Sequence, residues 1–206
     1  NFRVYKATEA PFTYQQDKID TLLESNPATI RLWGGVSNEQ LGSNIEDWTN
    51  SEALSLRQYN PNYGAQYSDS SLKLPTALPV VEELNASPWL VVGPYHSESD
   101  WLSLIEYLAG PTGTPFGDKR VSQGRTEPWS DAFPLIYIEY GNESWLPFFE
   151  WQTDPVEYGQ FAEHFFTTIK SSPYYPQIAN KLVFVLNGAL DQSTTDDFGH
   201  VAIHHC

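Results

Sequence analysis

The run Ile136-Tyr137-Ile138-Glu139-Tyr140-Gly141-Asn142-Glu143-Ser144-Trp145 sets a carboxyl, an amide and an indole directly behind a block of strand-forming residues. A strand that finishes in Gly-Asn-Glu delivers the Glu143 carboxyl to the end of a sheet. Asn142 beside it can both donate and accept hydrogen bonds, and Trp145 offers an apolar face with a polar N–H. That combination suits a sugar. Cleaving a glycosidic bond requires a carboxylic acid that stays protonated near neutral pH to protonate the leaving oxygen. It also requires a second carboxylate on the other side of the anomeric carbon. Glu143 is the candidate acid. Glu139 shares its face of the strand by parity, but four residues of extended chain separate the two by roughly 13 Å, against the about 5 to 9.5 Å that the chemistry allows. Glu139 is therefore read as a hydrogen-bonding group deep in the sheet, and the partner of Glu143 must come from another strand.

The elements that position these residues alternate along the chain. Residues 17–24 (DKIDTLLE) have helical spacing and stop at Ser25-Asn26-Pro27; residues 28–33 (ATIRLW) form a short strand ending in Gly34-Gly35. Residues 72–84 read as a helix whose first turn Pro75 and Pro79 break, and 89–92 (WLVV) as a buried strand closed by Gly93-Pro94. Residues 99–108 form an amphipathic helix capped by Ser97 or Ser99, and residues 110–134 a loop. A strand at 135–140, a helix at 156–170, a strand at 182–186 and a fifth strand at 200–204 complete the series. Nearly unbroken apolar strands separated by helices imply an α/β fold with a parallel sheet covered on both faces. No G-x-G-x-x-G or G-x-x-x-x-G-K-[ST] turn is present, which favours a (β/α)8 TIM-type barrel over an open nucleotide-binding sheet. In a barrel the strand C-termini carry the chemistry, and those ends here read RLWGG (31–35), GPYH (93–96), GNE (141–143) and Asn187-Gly188.

The chain has 206 residues, so a single domain spanning 1–206 is expected. Eleven Lys and Arg against 26 Asp and Glu give a net charge of −15, which repels a nucleic acid backbone and an anionic membrane surface. No run of about eighteen apolar residues exists to span a bilayer. With no methionine at all, the sequence reads as a processed chain or a piece of a longer one. Its one cysteine, Cys206, forms no internal disulfide and no multi-cysteine zinc site. Aromatic residues make up 15%, open to two readings, sugar-stacking surfaces or a large aromatic core. His204 and His205 are adjacent and would point to opposite faces of a strand, so they do not chelate one metal ion. Asp191, Asp196 and Asp197 lack calcium-loop spacing and read as a solvated loop. Asn85-Ala86-Ser87 is an N-glycosylation sequon; Asn142-Glu143-Ser144 is a second, read as accidental because a glycan there would fill the proposed pocket.

With these motifs in view, Gly141-Asn142-Glu143 resembles the Asn-Glu signature on the fourth strand of the retaining glycoside hydrolase clan with (β/α)8 barrels, and most of all the α-L-arabinofuranosidases of family 51. RLWGG (31–35) is similar to that family's second-strand Arg-Phe-Pro-Gly-Gly, with Leu32-Trp33 in place of Phe-Pro. Glu106-Tyr107 with Gly117, Arg120, Gly124 and Pro128 resembles the segment leading to its fourth strand, and Ala202-Ile203-His204-His205 its sixth-strand histidine motif, with Cys206 where an aromatic is expected. The resemblance implies Glu143 as general acid/base, Asn142 holding the sugar 2-hydroxyl, and Arg31 orienting and charge-stabilising the nucleophile. It places Trp33, Trp145 and His204 in the sugar pocket, and implies a secreted or extracellular hydrolase acting on polysaccharide or oligosaccharide without a cofactor. In that clan the nucleophile ends the seventh strand, whereas this sequence reaches about strands two to six, so an incomplete barrel is expected, with the nucleophile outside this chain. The other readings are a non-catalytic carbohydrate-binding or structural extracellular protein on a degenerate barrel, Glu143 as an exposed turn carboxylate at a helix start, and Arg31 as a structural arginine paired with Glu139.

Overall fold

A computed structural model describes residues 16–32, 45–50, 58–60, 66–68, 73–145, 153–188, 198–203 and 206. In chain order the elements are α1 (Gln16–Ser25), β1 (Thr29–Leu32), α2 (Ile45–Trp48), β2 (Gln58–Asn60), β3 (Gln66–Ser68), α3 (Leu74–Glu83), β4 (Ser87–Val92) and α4 (Glu98–Ala109). They continue with α5 (Pro115–Ser122), α6 (Trp129–Ala132), β5 (Ile136–Tyr140), α7 (Pro155–Lys170), α8 (Tyr175–Ile178), β6 (Leu182–Val185) and α9 (Phe198–Ile203). Strands β1, β4, β5 and β6 form one sheet in which each neighbouring pair is parallel, and their spatial order equals their chain order. A doubly wound sheet reverses its strand order at a switch point; a barrel never does. The described sheet is an all-parallel α/β arc with the uninterrupted order that a barrel requires. Strands β2 and β3 form a separate antiparallel pair that the sequence reading did not foresee.

The helices bury the faces that their spacing dictates. Leu74, Ala77, Leu78 and Val81 of α3, and Trp101, Leu104, Ile105 and Leu108 of α4, recur at the three- and four-residue intervals of an apolar stripe, and all are buried. Helix α7 does the same with Tyr158, Ala162, Phe165, Phe166 and Ile169. Strand β4 is buried on both faces, as a central parallel strand must be. Ser97 caps α4: its hydroxyl accepts from Asp100 N while the Asp100 carboxylate accepts from Ser97 N, a reciprocal capping box. Asp154 caps α7 by accepting from Val156 N and Glu157 N. Pro75 lies in the first turn of α3, where no N–H is needed. The turn is not broken, and Pro79 sits within the helix on its exposed side, where water can reach the carbonyl that it leaves unpaired. No helix among the described residues is long and apolar enough to cross a membrane.

Two expectations are corrected. Residues 198–203 are helical, not a fifth strand, so the described sheet has four strands. A six-residue run carrying Val201 and Ile203 has no period that separates strand from helix, and packing against α7 decides it. Residues 110–134 also contain helices α5 and α6. Helix α5 starts at the Thr114 cap with Pro115 behind it. It is held by Arg120, whose fully buried guanidinium donates to the carbonyls of Tyr107 at 3.0 Å, Gly110 at 2.9 Å and Thr126 at 3.3 Å. Burial lowers the Arg120 pKa. Gly117 lets the backbones meet, since a Cβ there would lie 2.1 Å from the Pro111 carbonyl oxygen. The motif that leads into β5 is thereby a backbone staple. Arg120→Met, which strands three carbonyls, is expected to lower the unfolding free energy by about 3 kcal/mol in urea denaturation; a loss below about 1 kcal/mol would contradict that role.

Candidate active site

Strand β5 ends on Tyr140, and the chain then turns through Gly141 at φ 72° and Glu143 at φ 45°. A left-handed glycine is ordinary, whereas a left-handed glutamate is strained and persists only where its surroundings hold it. The Gly141 amide donates to the Val92 carbonyl at 2.8 Å, carrying the β4–β5 pairing one step past the strand. Glu143, half-buried, lines an open cleft of about 540 Å³ at the C-terminal ends of the strands, together with Arg31, Trp89, Glu139, Asn142, Trp145, Val185, Leu186, Asn187 and Gly188.

At the base of that cleft lies Glu139, buried, with both carboxylate oxygens engaged. Its Oε2 accepts from Arg31 Nε at 2.8 Å, Arg31 Nη2 at 2.8 Å and Trp89 Nε1 at 2.7 Å; its Oε1 accepts from Asn187 Nδ2 at 2.6 Å. Arg31 Nη2 also donates to Asn142 Oδ1 at 2.9 Å, and the guanidinium lies 5.8 Å from the centre of the Trp89 ring. Burial pushes the Glu139 carboxyl above the usual carboxylate range against the pull of Arg31 and the Trp89 indole, and the charge of Glu143 adds to the rise.

The structure thus gathers Arg31, Asn142, Glu143 and Trp145 at one cleft, as the sequence reading required. Arg31 does pair with Glu139, and the same guanidinium reaches the cleft wall and orients Asn142. Asn142 is buried, and with Oδ1 taken its amide nitrogen is the atom left to offer a ligand hydroxyl. A glycan on Asn142 would fill the cleft that its side chain lines, while Asn85 is exposed in the turn between α3 and β4. Glu139 sits at the base as a hydrogen-bonding group, and among the described lining residues no carboxylate besides Glu143 has free oxygens. Trp33, His204, His205, Asp191, Asp196 and Asp197 lie outside the described residues. Trp89 and Asn187 were missed as site residues; the only signals were a tryptophan within an aliphatic strand and an Asn-Gly at a strand end.

Residues 21–201 match the family model of the alpha-L-arabinofuranosidase 1 domain. The chain belongs to that family. A stretch of 38 residues, 18% of the chain, is 50% identical to probable alpha-L-arabinofuranosidase A of Emericella nidulans and covers 6% of that protein's length. Among solved structures the chain is similar to a family 51 alpha-L-arabinofuranosidase from Bifidobacterium longum, with a TM-score of 0.76, 19% identity, and coverage of 97% of this chain and 36% of that one. It is also similar to the alpha-L-arabinofuranosidase from Thermotoga maritima, with a TM-score of 0.69, 17% identity, and coverage of 89% and 36%. At such identities the likeness shows a shared fold, and the chain spans about a third of the length of these solved proteins. In this family member the four-stranded arc is part of a (β/α)8-type barrel.

The buried carboxylate yields a prediction. In Glu139→Gln an amide nitrogen must face either Asn187 Nδ2 or the Arg31–Trp89 donors, and Arg31 loses its counter-charge. Since Arg31 is 36% exposed, water offsets part of the loss, and a drop of about 2 kcal/mol in unfolding free energy is expected. Unchanged urea and thermal midpoints would contradict the network.

Proposed function

We propose that this chain supplies the acid/base half of a retaining glycoside hydrolase active on α-L-arabinofuranosyl groups of polysaccharide or oligosaccharide. One observation carries the reading: Glu143 is held in a left-handed turn at the strand-end rim of a cleft, beside the buried amide of Asn142. The choice of sugar is supported by the relatives, which are alpha-L-arabinofuranosidases. Glu143 gives its proton to the leaving oxygen while a carboxylate about 5 to 5.5 Å away attacks the anomeric carbon. Glu143, now ionised, then takes a proton from the water that hydrolyses the glycosyl intermediate. The nucleophile comes from outside this chain, in a single barrel domain to which residues 1–206 belong; coverage of about a third of the solved relatives supports that arrangement. Asn142 Nδ2 holds a sugar hydroxyl, and the Trp145 indole packs against the ring. Trp33, within the matched residues 21–201, and His204, just past them, are assigned to the same pocket on the resemblance of residues 31–35 and 202–205 to the family's motifs. The engagement of both Glu139 oxygens favours one competing reading, a carbohydrate-binding protein without catalysis, because the described cleft then holds a single free carboxylate. The protein acts outside the cell and carries a glycan on Asn85, a reading supported by the exposure of Asn85 itself at the opposite end of β4 from the cleft.

In the complete polypeptide, Glu143→Gln is expected to lower kcat/KM on alkyl arabinofuranosides by about 10²- to 10⁴-fold, yet to spare aryl substrates with very good leaving groups in the glycosylation step. Equal losses on both series refute the acid/base role, and sugar binding without turnover by the wild type favours the competing reading. Peptide-N-glycosidase treatment of the protein secreted from a eukaryotic host is expected to lower its mass, and Asn85→Gln to abolish that shift. An unchanged mass refutes the glycan.

A further inference from the structure

A left-handed glutamate at a cleft rim needs something to hold the backbone on both sides of it. On the near side the Gly141 amide donates to the Val92 carbonyl at 2.8 Å, and on the far side the Ser144 carbonyl accepts from Thr153 N at 3.1 Å. Each of these contacts grips one flank. Asn187 grips both. Its Nδ2 donates to the Gly141 carbonyl at 3.3 Å, and its Oδ1 accepts from Ser144 N at 3.3 Å and Ser144 Oγ at 3.1 Å. The same Nδ2 donates to Glu139 Oε1 at 2.6 Å, so one amide spans the floor of the cleft and the turn that carries Glu143.

The clamp is itself fixed. The Asn187 N–H donates to Tyr158 Oη at 2.8 Å, and the Tyr158 hydroxyl donates to the Tyr140 carbonyl at 2.7 Å. Asn187, Ser144 and Tyr158 are all buried, so water does not compete for these bonds. The amide's donor and acceptor sides are both spoken for, which leaves it one orientation.

We infer that Asn187 is a positioning residue for Glu143: by joining the end of β6 to both flanks of the turn after β5, it aims the Glu143 carboxyl into the cleft. The inference rests on the acid/base reading of Glu143 and adds to it the group that sets the acid's direction. Asn187 touches no reacting atom in this role. Its removal acts through the aim of the proton donor, and misplacing a reacting group by about 1 Å costs on the order of 10²-fold.

The test uses the complete polypeptide and arabinofuranosides of graded leaving-group pKa. Asn187→Ala is expected to lower kcat/KM on the poorest leaving groups by about 10- to 100-fold and on dinitrophenyl substrates by less than about threefold, a muted copy of the Glu143→Gln pattern. A purely structural role would reduce the folded fraction and depress every substrate equally. A uniform loss, or none, overturns the inference. Should Asn187→Ala fail to fold, Ser144→Ala removes one bond of the clamp and keeps the backbone; a selective loss of about threefold on poor leaving groups supports the clamp, and a flat response overturns it. If Glu143→Gln is selective while the Asn187 and Ser144 variants are not, the clamp alone is wrong. If Glu143→Gln is itself unselective, the acid/base reading fails first.

Discussion

A carboxylate buried beneath an open cleft is costly unless every lone pair that faces the protein finds a donor. At Glu139 the donors come from three other places in the sheet: Arg31 on β1, Trp89 on β4 and Asn187 just past β6. The carboxyl therefore gathers groups from all four parallel strands to one point. A strand slipped by one residue would turn Glu139, or one of its donors, to the other face and leave a buried ion unpaired. Hydrophobic burial makes the strands, and the bonds of Glu139 add their own requirement on register near the end where the cleft opens.

The two glutamates of β5 and its following turn divide the labour. Glu139 is spent on structure, each of its oxygens hydrogen-bonded and its charge opposed by Arg31. Glu143 stands above it on a strained turn with its side chain in the cleft. Arg31 belongs to both levels, since one guanidinium neutralises the floor and fixes the amide of Asn142 at the wall. Asn187 performs the corresponding service from the opposite side of the strand.

Much of this was legible in the residues because the governing periods are short. The stripes of α3, α4 and α7 and the apolar run of β5 announce themselves, and a polar residue just past a buried strand must lie at its end. What stayed hidden depends on contacts between distant residues. Helix α5 has weak periodicity of its own and is stapled by Arg120 to the chain before it and after it, and α6 is only four residues long. Residues 198–203 carry β-branched side chains yet are helical against α7. The pairing of Trp89 and Asn187 with Glu139 spans 50 and 48 residues and follows from strand register, which no local pattern encodes. The separation of roughly 13 Å read for Glu139 and Glu143 assumed four residues of extended chain, whereas the strand ends at Tyr140 and the turn brings both side chains to one cleft; what sets Glu139 aside is that both its oxygens already accept hydrogen bonds.

The most direct measurement is a crystal structure of the complete polypeptide with a non-hydrolysable arabinofuranoside in the cleft. The account predicts a Glu143 carboxyl oxygen about 3 Å from the glycosidic oxygen, and a second carboxylate, from a strand beyond β6, about 5 to 5.5 Å from Glu143 across the anomeric carbon. A ligand bound with Glu143 turned out of the cleft, or with no opposing carboxylate within about 9.5 Å, would contradict it.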